Sequence, residues 1–275
     1  MVIYMKEKHT AKVLSQQKLA EQIYDMWIET ELAASAKPGQ FIGVYPKDKS
    51  TLLPRPISIC EVKGDKALRI VYRTVGQGTT EFSTYKAGDS IEILGTLGNG
   101  FPIEEAAGKK VFLMGGGIGV PPILELAKTL AGKADAPQAP GKALCDGDDI
   151  QIVMGYRDAG TFLKQDFEQY GKVYIATEDG SVGTRGNVMD AITANAIQAD
   201  VIFACGPMPM LRAIKRYAQE AGIPAYISLE EHMACGVGAC LGCVVKTSKV
   251  DHHSHVNNAR ICTDGPVFEA KEVEI

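Results

Sequence analysis

The sequence predicts an α and β protein in three parts: an antiparallel β-barrel over residues 1–104, a parallel-sheet α/β domain over 105–225, and a small four-cysteine module over 226–275. Three observations predict it. Short apolar runs separated by turn residues fill the first part. Strand-like runs alternate with helical patterns in the second. Cys235, Cys240, Cys243 and Cys262 all fall in the third.

At 275 residues the chain has room for two domains and a small third. Hydrophobic residues make up 45% and charged residues 23%, the balance of a packed globular chain. The formal net charge is −4, and no cluster of lysine and arginine forms an electrostatic footprint, so no nucleic-acid partner is expected. The opening MVIYMKEKHT lacks the basic-then-apolar order of a secretory signal. The most apolar stretch, VFLMGGGIGVPPILELA, is broken by glycines and prolines and makes a poor membrane span. A soluble, cytoplasmic protein is expected. Seven cysteines, an odd number, suit a reducing compartment better than a disulfide scaffold. Cys60, Cys145 and Cys205 stand alone in apolar sequence and read as buried small hydrophobes.

The barrel strands follow in order. AKVLSQQKLA and IYDMWIET are the first two. Pro38-Gly39 turns the chain into QFIGVYP. RPISICEVKGD, ALRIVYRT and DSIEILGTLG come next, with glycine or aspartate between them. A short helical pattern, TTEFSTY, follows the turn at Gly76 and Gly78.

In the second part KKVFLMGG precedes the helix PPILELAKTLAG, and IQIVMGYR precedes TFLKQDFEQYG. KVYIAT precedes NVMDAITANA, and DVIFACG precedes the last helix, which ends at AQEAG. Residues 131–149 interrupt the alternation with a polar, alanine- and proline-rich insert, expected as a surface loop.

GGGIGVPP, with Gly115, Gly116, Gly117 and Gly119, follows a strand and opens a helix, the setting a phosphate-binding turn requires. Backbone amides there can approach a pyrophosphate, and the helix N-terminus favours its charge. Pro121 and Pro122 suit a first helical turn. The third glycine of a G-x-G-x-x-G match is missing, since Val120 or Pro122 stands there. ACGPMPM, with Cys205 and Gly206, and TEDGSVGTRG also lie at strand carboxyl ends, where ligands of open α/β sheets collect. Glu178 and Asp179 offer carboxylates to ribose hydroxyls and repel a 2′-phosphate, which argues for NAD over NADP; an acidic turn is the other reading. In the barrel, Arg55 can clamp a diphosphate, Ser58 can bond a flavin ring atom, and Gly76, Gly78 and Thr79 form a turn suited to an anion. Each of these alone also fits ordinary turn chemistry.

The cysteines are spaced Cys235-x4-Cys240-x2-Cys243, with eighteen residues before Cys262. That is the spacing of a plant-type [2Fe–2S] site, in which four thiolates hold two sulfide-bridged irons. Gly236, Gly238 and Gly242 remove bulk between the ligands and let N–H groups face the sulfurs. Structural zinc is the rival, but zinc usually pairs two short knuckles and Cys262 has no close companion in sequence. The HHSH run at 252–255 reads as a solvated hairpin tip rather than a metal site, and His232 as a surface or packing residue.

A barrel with RPIS and GQGT, then a β-α domain with GGGIG and CGPM, resembles the ferredoxin–NADP reductase superfamily. With RPISIC, GTLGNGF, CGPMPML and SLEEHMACGVGACLGC, the whole chain looks like the electron-transfer subunits of NAD-linked, two-subunit dihydroorotate dehydrogenases. The resemblance implies FAD on the barrel, NAD on the second domain, and a [2Fe–2S] cluster on the four cysteines. It implies Arg55, Pro56, Ile57, Ser58, Val71, Tyr72, Arg73, Gly78 and Thr79 as FAD contacts. It implies a separate FMN-containing subunit, two copies of each, and a place in pyrimidine biosynthesis. Ile57 stands where the superfamily often has tyrosine, and the insert before Cys262 is longer than expected. Related subunits serve ferredoxin, sulfide and hydrogenase systems, which is the alternative partner assignment; in ferredoxin–NADP reductase relatives the first ligand looks like aspartate, where this chain has Cys235.

The expected chemistry is a step-down of electrons between a hydride carrier and a one-electron centre, with no side chain acting as nucleophile or base. Met233, Val237 and Leu241 are expected on an exposed face that docks the partner; packing inward, as apolar contacts that a small module needs for itself, is the other reading.

Overall fold

The structure is a computed structural model, and it describes residues 7–248, 250 and 255–275. The first six strands are β1 (Lys8–Ala20), β2 (Ile23–Glu29), β3 (Phe41–Tyr45), β4 (Arg55–Lys63), β5 (Ala67–Arg73) and β6 (Ser90–Leu97). They close into an antiparallel barrel in the order β1-β2-β5-β4-β3-β6. Closure leaves no open edge strand and turns every other side chain inward. Val13, Met26, Ile28, Ile42, Ile59, Leu68, Ile70 and Ile93 fill the interior with no exposed surface. The short helix α1 (Gln77–Phe82) starts two residues before the predicted pattern, on the amide turn at Gly76.

The second part alternates as expected: β7 (Val111–Gly116), α2 (Pro121–Leu130), β8 (Ile150–Tyr156), α3 (Lys164–Phe167), β9 (Lys172–Thr177), β10 (Thr184–Arg185), α4 (Val188–Ala194), β11 (Val201–Cys205) and α5 (Met208–Ala221). The last part adds β12 (Ala225–Ser228), β13 (Val244–Lys246), β14 (Asn258–Arg260) and β15 (Val267–Glu269). One sheet runs β10-β9-β8-β7-β11-β12-β15, parallel except where β15 pairs antiparallel with β12. β7 and β11 are buried along their whole length, because helices or the barrel cover both faces. α2 is buried on every side, between the sheet and the barrel residues Ile23, Cys60 and Val71.

Two expectations change. The helix predicted over 161–171 shrinks to one turn, Lys164–Phe167, entered through Leu163 at φ 64°. Leu163, Phe167 and Tyr170 reach the core from that turn and its flanks, so a longer helix adds no burial. The insert at 131–149 is a strap across the barrel rather than a free surface loop. Gly64 N–H donates to Asp135, Gln138 donates to the Ala34 carbonyl at 3.0 Å, and Ala136 packs in the barrel core.

The cysteine segment has no separate core, as its length requires. Cys243, Ile261 and Cys262 pack with Met233 and with the barrel residues Phe41, Leu94 and Leu97. The segment therefore rests on the barrel, and through β15 it also closes one edge of the sheet.

Candidate metal centre and cofactor clefts

The loop from Cys235 to Cys243 turns back on itself at three left-handed residues, Gly236 (φ 68°), Gly238 (φ 80°) and Leu241 (φ 57°). This folding aims amides at sulfur: Val237 N–H and Cys240 N–H both donate to Cys235 Sγ at 3.4 Å. Burial pushes the Cys235 thiol up, but the amides of Val237, Cys240 and Ala239 and the Cys240 thiol outweigh it and bring it down to about 6. Cys262 behaves oppositely. Burial, then the neighbouring Cys243 thiol, push it up to about 12. Cys243 and Cys262 are buried, whereas Cys240 is exposed.

The four sulfurs thus fall into two touching pairs, Cys235 with Cys240 and Cys243 with Cys262. Two thiol pairs, with amides directed at sulfur, fit a binuclear iron–sulfur centre better than one tetrahedral zinc. His232 is exposed, as expected. Of the HHSH run, 252–254 lie outside the described residues, and His255 is exposed. The expectation for Met233 is corrected: it is 8% exposed and packs inward against the barrel, because the short segment borrows its core there. Val237 and Leu241 are exposed, at 40% and 61%.

On the barrel, Arg55 opens β4 and lies against Gly78, where a Cβ would sit 2.9 Å from its Nε. Its guanidinium also donates to the Leu53 carbonyl. Pro56 is exposed, Ile57 buried and Ser58 half-buried. The Thr79 hydroxyl is spent inside its own turn, accepting from Val75 N–H at 2.9 Å and Gly76 N–H at 3.3 Å. Val71 packs in the core shared with α2, and the Tyr72 ring stacks on Tyr24 at 5.9 Å while its hydroxyl donates to Gln16 at 2.8 Å. Their side chains are buried, which leaves only their main chain for a ligand.

The nucleotide-type loops interlock. A Cβ on Gly119 would overlap the Cys205 carbonyl and approach Gly206 Cα to 2.6 Å. On Gly115 it would lie 2.8 Å from Val120 Cα, and on Gly116 it would run into Met210. These glycines are required by the chain itself. Gly117 differs: its φ is 52°, and its one near neighbour is Arg73 Nη2 at 3.4 Å. Cys205 is buried beneath, raised by burial first and then by the charge of Glu230. Glu230 is exposed, yet the protein packed around it raises its carboxyl, and Arg73 opposes the rise. Arg73 from the barrel thus lies beside Gly117 of the glycine loop, and its charge acts on Glu230 before the cysteine loop. Sequence reading named the first two and missed Glu230, whose only signal is its position between β12 and the first cysteine.

At the far end of the sheet, Glu178 and Asp179 are exposed on the turn after β9. Asp179 caps that turn, accepting from Ser181 N–H at 2.9 Å and from its hydroxyl at 2.6 Å, bonds that hold its carboxyl below the usual range. Glu178 makes no side-chain hydrogen bond or ion pair among the described residues.

A closed antiparallel barrel, a parallel sheet with glycine loops at its strand ends, and a two-pair thiol loop seated on the barrel define a reductase of the ferredoxin–NADP reductase type with an added iron–sulfur domain. A family model described as the iron–sulfur cluster binding domain of dihydroorotate dehydrogenase B matches residues 230–274. The dihydroorotate dehydrogenase B (NAD(+)) electron transfer subunit of Listeria monocytogenes serotype 4a (strain HCC23) is 41% identical over 267 residues, covering 96% of this chain and 98% of the relative. The subunit of the same name from Bacillus caldolyticus is 40% identical, covering 95% and 96%. The solved NADH-dependent reduced ferredoxin–NADP oxidoreductase matches with a TM-score of 0.79 at 29% identity, covering 98% of this chain and 91% of that one. The chain belongs to the family of electron transfer subunits of NAD-linked dihydroorotate dehydrogenase B. No helix among the described residues is long and apolar enough to cross a membrane.

Proposed function

We propose that this chain carries electrons between NAD and a separate FMN-containing subunit that oxidises dihydroorotate, in a cytoplasmic complex with two copies of each. Dihydroorotate loses two electrons and two protons to become orotate. NAD+ takes both electrons with one proton, and the other proton goes to water. A bound FAD exchanges electrons in pairs with NAD and singly with a [2Fe–2S] cluster, which is the chemistry these groups supply when bound.

The chain's own residues hold and order these groups. Cys235, Cys240, Cys243 and Cys262 are the thiolate ligands, and the amides of Val237 and Cys240 stabilise negative sulfur at Cys235. Arg55, with the main chain of Pro56, Ile57 and Ser58, receives the flavin and its diphosphate, aided by the turn at Gly78 and Thr79. Val71 and Tyr72 take part through the main chain only, and Arg73 lies beside Gly117. Gly115, Gly116, Gly117 and Gly119 with Cys205 and Gly206 shape the nicotinamide cleft. Glu178 receives the adenosine ribose, while Asp179 holds that turn in shape. Val237 and Leu241 cover the partner's face beside the exposed Cys240.

The observation that supports this reading is the seating of the four-cysteine segment on the barrel face at Leu94 and Leu97, where Cys243 and Cys262 share its core and Gly236, next to Cys235, lies against both leucines. The test is reconstitution with the FMN subunit under anaerobic conditions, followed by assay of dihydroorotate-dependent NAD+ reduction. A complex in which the chain binds iron and sulfide but NAD+ is never reduced overturns it.

A further inference from the structure

We propose that Asn99 is a positioning residue that fixes the cluster to the flavin barrel by clasping the segment directly after Cys262. The proposal rests on the electron-transfer reading above. Asn99 lies just past the end of β6, in Leu97-Gly98-Asn99-Gly100. Its backbone N–H donates to the Gly265 carbonyl at 2.7 Å. Its side-chain amide donates to the Asp264 carbonyl at 3.1 Å and the Val267 carbonyl at 2.8 Å. Its Oδ1 accepts from Val267 N–H at 3.2 Å. One residue of the barrel thus satisfies four main-chain contacts across residues 264–267.

The first flanking glycine is needed for this approach, and the second lets the chain pass Pro38. Gly98 (φ 78°) would drive a Cβ into Pro266, and Gly100 (φ 85°) would place one 2.8 Å from the Pro38 carbonyl. The clasped segment leads straight back to Cys262. Thr263, Asp264 and Gly265 N–H groups all donate to the Arg260 carbonyl, and the Asp264 carboxylate binds the Arg260 guanidinium at 3.0 Å. Cys262 therefore sits inside a closed turn whose exit is held by Asn99.

The other thiol pair has its own anchor on the same stretch of barrel. Gly236, next to Cys235, lies where a Cβ would be 3.3 Å from Leu97 and 3.6 Å from Leu94. Leu97 pairs with Phe41, and Phe41 pairs with Ser58. Asn99 is thus two residues and two ladder steps from the proposed flavin contact. Leu94, Leu97 and Asn99 together fix both halves of the thiol cage against the flavin strand, and Asn99 is their polar member. Leu229 N–H, which donates to the Pro266 carbonyl at 2.9 Å, ties the same segment to the nucleotide sheet.

The experiment compares the purified chain, loaded with flavin and cluster, with its N99A and N99D variants. NADH is mixed anaerobically in stopped flow; it leaves as NAD+, its hydride brings two electrons to the flavin, and one passes on to the cluster. The expected result is flavin reduction at the wild-type rate and cluster reduction slowed by about tenfold or more, since small misplacements of reacting groups cost this much. The cluster's electron paramagnetic resonance signal shifts as well. N99D keeps the acceptor to Val267 N–H but loses both donors, so it falls on the same side as N99A. A variant that keeps flavin but loses iron and sulfide also supports the clasp, because Cys262 has then left its place. Equal slowing of both phases, loss of flavin, or no change in either phase overturns it. Failure of the wild-type chain to pass electrons from flavin to cluster counts against the electron-transfer reading instead.

Discussion

Glu125 of α2 accepts the Val62 N–H of β4 at 2.9 Å, a carboxylate of the nucleotide domain seated on the edge of the flavin barrel. Two residues on, Gly64 N–H donates to Asp135 at 3.1 Å. β3 has ended by this point of β4, so the Glu125 carboxyl and Asp135, through its side chain and its carbonyl alike, take up the amides of Val62 and Gly64 that a further strand would have met. Glu125 has no exposed surface, and its Oε1 has no partner among the described residues. Lys128 lies 3.8 Å away but is engaged by Glu61 at 2.7 Å, and Glu61 is shared with Arg69, which also binds Asp25 and Asp166. Burial pushes the Glu125 carboxyl up to about 7 from an ordinary 4.5, against the pull of Lys128 and of Val62 N–H.

A pH dependence follows. Between pH 4.5 and 7 the folded chain keeps a proton that the unfolded chain has released. Stability from this group is full at the acid end, falls as pH rises through that window, and is level above it. Glu125→Gln removes the slope. Relative to wild type, its unfolding temperature rises between about pH 5 and about pH 8, by an amount on the order of 3 kcal/mol in stability. Parallel melting curves across that range contradict the buried acid.

Replacing Cys262 by Ser, or Cys240 by Ser, removes one proposed ligand from each thiol pair. Both variants are expected to lose iron and labile sulfide but retain flavin and NADH oxidation with an artificial acceptor, because β4, the strand proposed to receive the flavin, belongs to the barrel and not to the thiol loop. Gly238→Ala acts through geometry: its φ is 80°, and its Cβ would lie 2.9 Å from Thr263. Iron and sulfide per chain, with the flavin absorbance, check all three.

Gly119→Ala tests the interlocked loops. A Cβ there forces the glycine loop away from Cys205 and Gly206. Overlap of this kind in a packed site costs about 1–3 kcal/mol, so NADH affinity falls by about tenfold to a hundredfold. Flavin content and dihydroorotate-linked reduction of the flavin stay at wild-type levels. Fluorescence titration with NADH measures the effect.

Glu178→Gln and Asp179→Asn separate the two acidic residues. Glu178 is unengaged among the described residues, so its loss is expected to narrow the preference for NADH over NADPH. Asp179 is committed to Ser181, so its loss loosens the turn and weakens both nucleotides alike. The ratio of kcat/KM values for the two nucleotides distinguishes these outcomes.

Patterns that repeat along the chain were legible in the sequence, and pairings between distant segments were not. The barrel strands announced themselves through turn residues, and β7, β8, β9 and β11 through apolar runs, because each burial pattern is local. The thiol spacing is likewise local from Cys235 to Cys243. Asn99, Glu125 and Glu230 gave no comparable signal. Each matters because the fold brings it against a segment far away in sequence: Asn99 against 264–267, Glu125 against Val62, and Glu230 beside Arg73. Met233 misled for the same reason, since it is covered by a cluster drawn from the barrel, the sheet and the cysteine segment together. The strap at 131–149 looked like a loop because its composition is polar, yet its bonds to Gly64 and Ala34 are made by such groups.

Leu241 joins two unfavourable features in one residue. Its side chain is 61% exposed, and its backbone is left-handed at φ 57°, which costs a non-glycine residue about 1 kcal/mol or more. A glycine would relieve that strain, and an isolated chain gains nothing from an apolar side chain in water. The leucine makes sense if a partner covers it, next to the exposed Cys240 and to Val237, itself 40% exposed. Leu241→Gly is therefore expected to leave the free chain as stable as wild type or more so, with its cluster intact. Its affinity for the FMN subunit falls by about tenfold, the scale of losing one buried leucine side chain from an interface. Val237→Asp has a larger effect, since it carries an unpaired charge into the same contact. Calorimetric titration of the two subunits checks both variants, and undiminished binding removes this face from the interface.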